Sequence, residues 1–292
     1  MDRSRIIHTA SSSHVAPTVA EVQRAIFADA PGSSEVFVAG LGEESTAALV
    51  DVLTDLDEPP TVRLVARESL MKWLRRDFRL ASTAADLVAD ETLSLRATEY
   101  EFESGLVVGE ESVISIITTN DRVAGLGTDD AELVESMRER CDEAWESSIS
   151  FNLRTPARSR VYETLGDECG SEVEEDFRVM LEAVETTRSG GYRTRDDDRL
   201  DEVALTLLVA ASHEIQLYEI SKWGEDVGVA SKATFSRAKG RLENQGMIAT
   251  EKVPIDVGRP RLRLQLGDDR LRDVEASDLL ATAQEMLTSA PA

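Results

Sequence analysis

The sequence predicts an α/β domain in its N-terminal half, followed by an α+β winged helix-turn-helix domain. Three observations carry that expectation. Short β-branched runs alternate with amphipathic stretches between 35 and 151, the pattern of strands and helices that share one sheet. Three helical stretches followed by two strand-like runs occupy 200–266, the element order of a winged helix. Finally, Val229–Leu264 carries eight Lys and Arg against three acids, a net +5 inside a chain of formal net charge −24.

In the N-terminal half, "EVFVAG" (35–40) and "TVRLVA" (61–66) suit buried strands. Between them Ala47, Leu49, Val50 and Leu53 fall near helical spacing, and Pro59-Pro60 stops that helix. "RESLMKWLRRDFRL" places Leu70, Leu74 and Phe78 at i, i+4 and i+8, which predicts one amphipathic helix. "TLSLRATEY" reads as a strand, and "GLVVG" with "SVISIITT" as a hairpin around Glu110-Glu111. A helix over 129–151 closes the region, with Leu133, Met137, Cys141 and Ala144 on its inner face.

From Thr155 to Gly191 the chain reads as helical, with "YRTRDDD" as a hinge. Leu200, Val203, Ala204, Leu207, Leu208 and Ala211 then define a first helix, and "LYEISKWGEDVGV" a second that breaks around Gly228. The third, "SKATFSRAKGRLENQ", ends at Gly246. "MIATEKV" and "RPRLRLQL" form the wing strands. The expected domains are therefore 1–151, a helical linker over 152–195, the winged helix over 196–267, and a C-terminal helix or tail over 268–292.

Composition narrows the function. There are 56 Asp and Glu against 32 Lys and Arg, and only five of the latter are Lys. Spread along the chain, these acids suit a protein working in molar salt, where the Debye length falls to about 3 Å and self-repulsion is screened. No stretch approaches the roughly 20 apolar residues of a membrane span. The N-terminus lacks a secretory signal pattern, so a soluble cytoplasmic protein is expected. Cys141 and Cys169 have no partner pattern, which leaves neither a disulfide framework nor a metal site, and no cofactor is indicated.

On the third helix Ser231, Phe235, Ala238 and Leu242 face the core, while Ala233, Ser236, Arg237, Gly240 and Asn244 face outward. A small, polar face centred on one Arg fits a major groove about 12 Å wide. Arg237 suits a bidentate contact to guanine and Ser236 a base edge or phosphate. Lys232, Thr234 and Arg241 flank that face at phosphate-binding positions. In the wing Arg261 and Arg263 alternate with Leu262 and Leu264, and Arg259 sits at the tip. Double-stranded promoter DNA is the expected partner, bound by a homodimer because paired half-sites multiply specificity.

A second basic cluster lies at Arg63, Arg67, Lys72, Arg75, Arg76 and Arg79, against only Glu68 and Asp77. Lys72, Arg75, Arg76 and Arg79 share one face of the predicted helix. Together with Arg63 they form a candidate site for an anionic metabolite, DNA backbone or acidic partner. The alternative is a solvated helix face.

The run "LYEISKWGEDVGVASKATFSRAKGRLENQGMI" followed by "TEKVPIDVGRPRLRL" resembles the haloarchaeal TbsP regulators, which share the TrmB-type arrangement. The resemblance implies a sequence-specific DNA-binding regulator of central carbon metabolism genes. It also implies a degenerate phospholipase D-like N-terminal domain, carried by "ESGLVVGEESVISI" and "AELVESMRERCDEAW". Active members need a His-x-Lys motif, with the His as nucleophile. The corresponding positions here are Glu103 and Gly105, which implies a non-catalytic effector domain. The competing reading is a protein-interaction module in which the winged helix docks a protein.

Overall fold

The computed structural model describes residues 13–28, 34–188, 200–254 and 260–289. The chain divides into two compact units, 1–157 and 158–292.

Unit 1 is built on an eight-stranded sheet of order β1-β7-β6-β5-β2-β3-β4-β8. Strands β2 (Glu35–Ala39), β3 (Thr61–Ala66) and β4 (Leu93–Ala97) run parallel. The flanking β5 (Gly105–Val108), β6 (Val113–Thr118), β7 (Val123–Thr128), β1 (Ser13–Ala16) and β8 (Ile149–Ser150) pair antiparallel. Central β2 is buried on both faces, as parallel strands between helical layers must be. Val36 and Val38 belong to the larger core with Leu49, Leu53, Leu64 and Leu74. Phe37 points the other way, into a smaller core with Val108, Val134 and Cys141 under helix α5 (Ala131–Glu146).

The larger core is covered by α1 (Val19–Ala28), α2 (Glu43–Asp55), α3 (Glu68–Arg76) and α4 (Phe78–Ala89). The single helix expected across 67–80 is two helices. Asp77 leaves the helical region at φ −91° and ψ 104°, and its carboxylate accepts from the Leu80 amide, capping α4. The basic face expected from Lys72 to Arg79 is thereby broken. On α5 the inner face is Val134, Cys141 and Ala144, with Met137 packed beside them, whereas Leu133 is 46% exposed. On strand β7 a Cβ added at Gly125 would lie 3.1 Å from Val22 and 3.2 Å from Ile26 of α1, so these side chains would have to yield by a few tenths of an ångström.

In unit 2, α6 (Arg158–Cys169) and α7 (Ser171–Arg188) precede α8 (Glu202–Ser212), α9 (Leu217–Val227) and α10 (Lys232–Asn244). Strands β9 (Ile248–Val253) and β10 (Arg261–Leu266) form the hairpin, and α11 (Ala276–Ser289) follows. Every residue of α8 from Val203 to Ala211 is buried, so this helix is the centre of the unit. Within the segment expected as a linker, helices α6 and α7 are part of this body. Helix α6 packs on α9, where the Trp223 indole donates to Thr164 Oγ1 at 3.0 Å, and α7 packs on α8 and α11. The expected "YRTRDDD" hinge lies outside the described residues.

Candidate nucleic-acid interface

The outward helix is positioned by two local devices. Gly228 ends α9 at φ +95°, a conformation that costs a side chain dearly, and this tightens the turn into α10. Ser231 then caps α10, its hydroxyl accepting from the Thr234 amide at 3.2 Å. Ser231 is exposed and works as a cap rather than as the core residue expected from the helical wheel.

Packing of α10 on α9 fixes which face turns out. Phe235, Ala238 and Leu242 are buried, and the Phe235 ring lies against Gly224 so closely that a Cβ there would sit 2.3 Å from a ring carbon. Ala233, Ser236, Arg237 and Asn244 are exposed, and Gly240 meets no atom within 4 Å of where a Cβ would stand. The outward face predicted from periodicity is therefore the face that the fold presents.

The charges on this face are arranged differently from a bare basic patch. Lys232 Nζ is 2.7 Å from Glu225, whose carboxylate also accepts from the Lys232 amide at 3.4 Å. These bonds push the Lys232 ammonium above its ordinary range and hold the Glu225 carboxyl below its own. Arg241 reaches Asp201 at 3.3 Å, and Lys239 reaches Glu243 at 2.7 Å. Asp201 serves twice, since its other oxygen accepts from the Ala204 amide and caps α8.

In the wing, Arg261 donates to Gln216 at 3.3 Å, stacks 4.6 Å above the Tyr218 ring and lies 3.8 Å from Glu219. Arg263 sits 3.8 Å from Glu214 and 3.9 Å from Glu251 across the hairpin. Arg259 lies outside the described residues. Among the cations of α10 and the hairpin, Arg237 and Lys252 are those that no described carboxylate holds. The Arg237 guanidinium rests on its own helix, donating to Thr234 Oγ1 at 3.2 Å and to the Ala233 carbonyl at 3.4 Å. Charge counting along the segment missed the answering acids, because Asp201, Glu214, Glu219 and Glu225 lie outside it.

The second basic cluster is dispersed. Arg63 projects toward α5, between the Phe37 and Trp145 rings at 5.3 and 5.4 Å, and pairs with Glu35 at 2.7 Å. Arg67 pairs with Glu101 and Arg79 with Asp51. Arg76 is exposed, while Lys72 and Arg75 line a cavity on α3. Gly105 opens β5, and Glu103 lies two residues before it.

Two family descriptions match adjoining parts of the chain. "Transcriptional regulator TbsP-like, N-terminal" matches residues 11–156, and "Transcriptional regulator TbsP-like, C-terminal HTH domain" matches 157–284. No curated protein matches the chain. Among solved structures, the archaeal chromatin protein TrmBL2, whose structure is described as showing a novel mode of DNA binding, is similar at 16% identity and TM-score 0.37, over 50% of this chain and 56% of that one. The chain thus spans little more than half the length of that protein. A phospholipase D family member, Nuc from Salmonella typhimurium, is similar at 13% identity and TM-score 0.34, over 50% of this chain and 99% of that one.

Proposed function

The chain belongs to the TbsP-like transcriptional regulators, and from that membership we propose that it reads promoter DNA with α10, centred on Arg237, and controls genes of central carbon metabolism. One observation carries the reading: α10 turns out a face of small, uncharged side chains whose central Arg is the helix cation that no described carboxylate holds. Such a face enters a major groove without steric conflict and offers a guanidinium for the O6 and N7 acceptors of guanine. Ser236 is the second base-reading residue. Lys232, Thr234, Arg241, Arg261 and Arg263 sit around it at backbone-contact positions.

Exposed ion pairs are worth roughly 0–1 kcal/mol, so the paired cations can exchange a carboxylate for a phosphate. Because each such exchange also leaves an acid facing the duplex, the net electrostatic contribution is small. That balance suits the salt-adapted, cytoplasmic life that the composition fits, where counterion release yields little. Unit 1 acts as a non-catalytic effector domain that responds to an anionic metabolite, with Glu103 and Gly105 in place of the catalytic pair supporting that role.

The functional species we propose is a homodimer. Val15, Ile117 and Leu126 are 57%, 45% and 48% exposed on one uncharged face at the β1 end of the sheet, where Val15 and Ile117 both pair with Ala124. Highly acidic copies can approach one another at such a surface with little repulsion. An Ile117→Asp chain that still sediments as a dimer excludes that face.

The decisive test is chromatin immunoprecipitation with sequencing, followed by binding of the recovered promoters in high salt to the native chain and to Arg237→Ala. Loss of a bidentate guanine contact costs about 1–3 kcal/mol, or about 5- to 150-fold in affinity. Enrichment of no promoter overturns the proposal and leaves the protein-docking reading in its place.

A further inference from the structure

Unit 1 contains a cavity of about 820 Å³ at the carboxyl ends of β3 and β4. Its walls are the first two turns of α3, the segment Ala97–Tyr100 that leaves β4, and the chain around the edge strand β8. Open α/β sheets bind ligands at the carboxyl ends of their parallel strands, and 820 Å³ lies within the usual range of about 300–1,000 Å³ for small-molecule sites.

The lining chemistry is specific. Lys72, Arg75 and Arg154 bring three positive charges into the cavity, against Glu68 and Glu99. Glu68 is already bound to Lys72 at 2.9 Å. No described carboxylate pairs with Arg75 or Arg154, in a chain where acids outnumber bases 56 to 32. Arg75 is held in place instead by the Phe151 ring, 5.5 Å from its guanidinium, a contact that orients the fork without neutralising it. Arg154 adopts φ +58°, a strained conformation for a residue with a side chain, and its amide is tied to Asn152 Oδ1 at 2.8 Å. Tyr100 and Ile149, 40% and 77% exposed, give the same cavity an apolar side.

We infer that this cavity binds a small organic dianion, whose phosphate or paired carboxylates are held by Arg75, Arg154 and Lys72 and whose body lies along Tyr100 and Ile149. Forked guanidiniums bind both anion types bidentately, which separates them from chloride at high salt. The inference rests on the effector role proposed for unit 1, but its test needs no DNA, so failure here and failure of promoter binding are told apart.

Isothermal titration in 2 M potassium chloride would use the full chain with phenyl phosphate, phthalate and inorganic phosphate as probes. The ring-bearing probes are expected to bind and inorganic phosphate to bind at least about tenfold more weakly, because it lacks a body. Whichever of the first two binds tighter identifies the preferred anion. Arg75→Gln and Arg154→Gln each reduce affinity about tenfold with the unfolding midpoint of the free protein unchanged, while Arg76→Gln, exposed just outside the cavity, has no effect. No binding of any probe overturns the inference. So does equal loss from Arg76→Gln, which would mean diffuse surface charge.

Discussion

Two glycines in the winged helix make opposite predictions for the same substitution. In an exposed helix Gly→Ala gains about 0.8–1.0 kcal/mol. Gly240 on α10 meets nothing within 4 Å of an added Cβ, so Gly240→Ala should stabilise the free protein by that amount. Gly224 on α9 faces the Phe235 ring, with two ring carbons 2.3 and 2.5 Å from the added Cβ. Carbon atoms pack at about 3.5–4.0 Å, so either the ring or α9 must retreat by more than about 1 Å. Phe235 is fully buried and cannot swing into solvent. Overpacking costs about 1–3 kcal/mol, and the upper end applies to a ring without room, which leaves a net loss of about 2 kcal/mol after the propensity gain. For a body of this size the midpoint falls by about 8 °C for Gly224→Ala and rises by about 4 °C for Gly240→Ala. Thermal unfolding at fixed high salt, followed by circular dichroism, reads both. Phe235→Leu, which removes the outer ring carbons, should recover part of the Gly224→Ala loss in a double mutant. If Gly224→Ala is as stable as the native chain, the account of how α9 seats α10 is wrong. Gly240→Ala also tests the interface, since a more stable protein that binds promoter DNA more weakly identifies Gly240 as a point of close backbone approach.

Further outcomes follow from the ion pairs, caps and thiols. Glu225→Gln keeps an acceptor for the Lys232 amide but removes the charge beside its ammonium, so DNA affinity should rise severalfold near 0.2 M salt. The slope of log K against log salt should steepen by about 0.9 for the extra phosphate contact, and an unchanged slope would place Lys232 off the DNA. Asp77→Ala removes the cap of α4 and should lower the stability of unit 1 by about 1 kcal/mol in urea titrations, whereas a residue on one continuous helix would show a gain. Burial, with Asp142 adding to it, pushes the Cys141 thiol up to about 11, and burial with Glu168 and Glu219 does the same to Cys169. Both stay neutral at pH 8.5, so iodoacetamide should label the native chain far more slowly than the denatured one. The raised values also make folding lose stability as pH climbs past the ordinary thiol range toward 11. Rapid native labelling at pH 8.5 would show that one of the thiols is not shielded.

The parts legible in the sequence were those encoded by local periodicity. Strands β2, β3, β5 and β6, helices α8 to α10 and the wing all declare themselves through spacing of two or of three to four residues. What periodicity hid has identifiable causes. Asp77 falls beside the apolar side of a continuous Leu70/Leu74/Phe78 repeat, whose unbroken spacing hides its capping role until the backbone turns there. Gly125 and Gly127 dilute the pattern of β7, although α1 packs closely over Gly125. At the interface, spacing gave the outward face of α10, yet the charge balance could not be read. Asp201 lies 40 residues from the Arg241 it binds, and only the fold brings the two together. Arg154, absent from the basic cluster marked along the chain, reaches the cavity of Lys72 and Arg75 through the same kind of long-range closure.

The carboxylates that hold Lys232, Arg241, Arg261 and Arg263 bear on how such a regulator finds its sites. A genome offers about a million or more competing stretches of duplex, and a strongly basic reader spends most of its time on them. On the proposed reading, arbitrary DNA must first displace these internal acids and gains little by doing so, whereas a cognate stretch adds the contacts proposed for Arg237 and Ser236. The result is a larger pool of unbound molecules and a sharper ratio between right and wrong addresses, obtained by weakening the wrong ones.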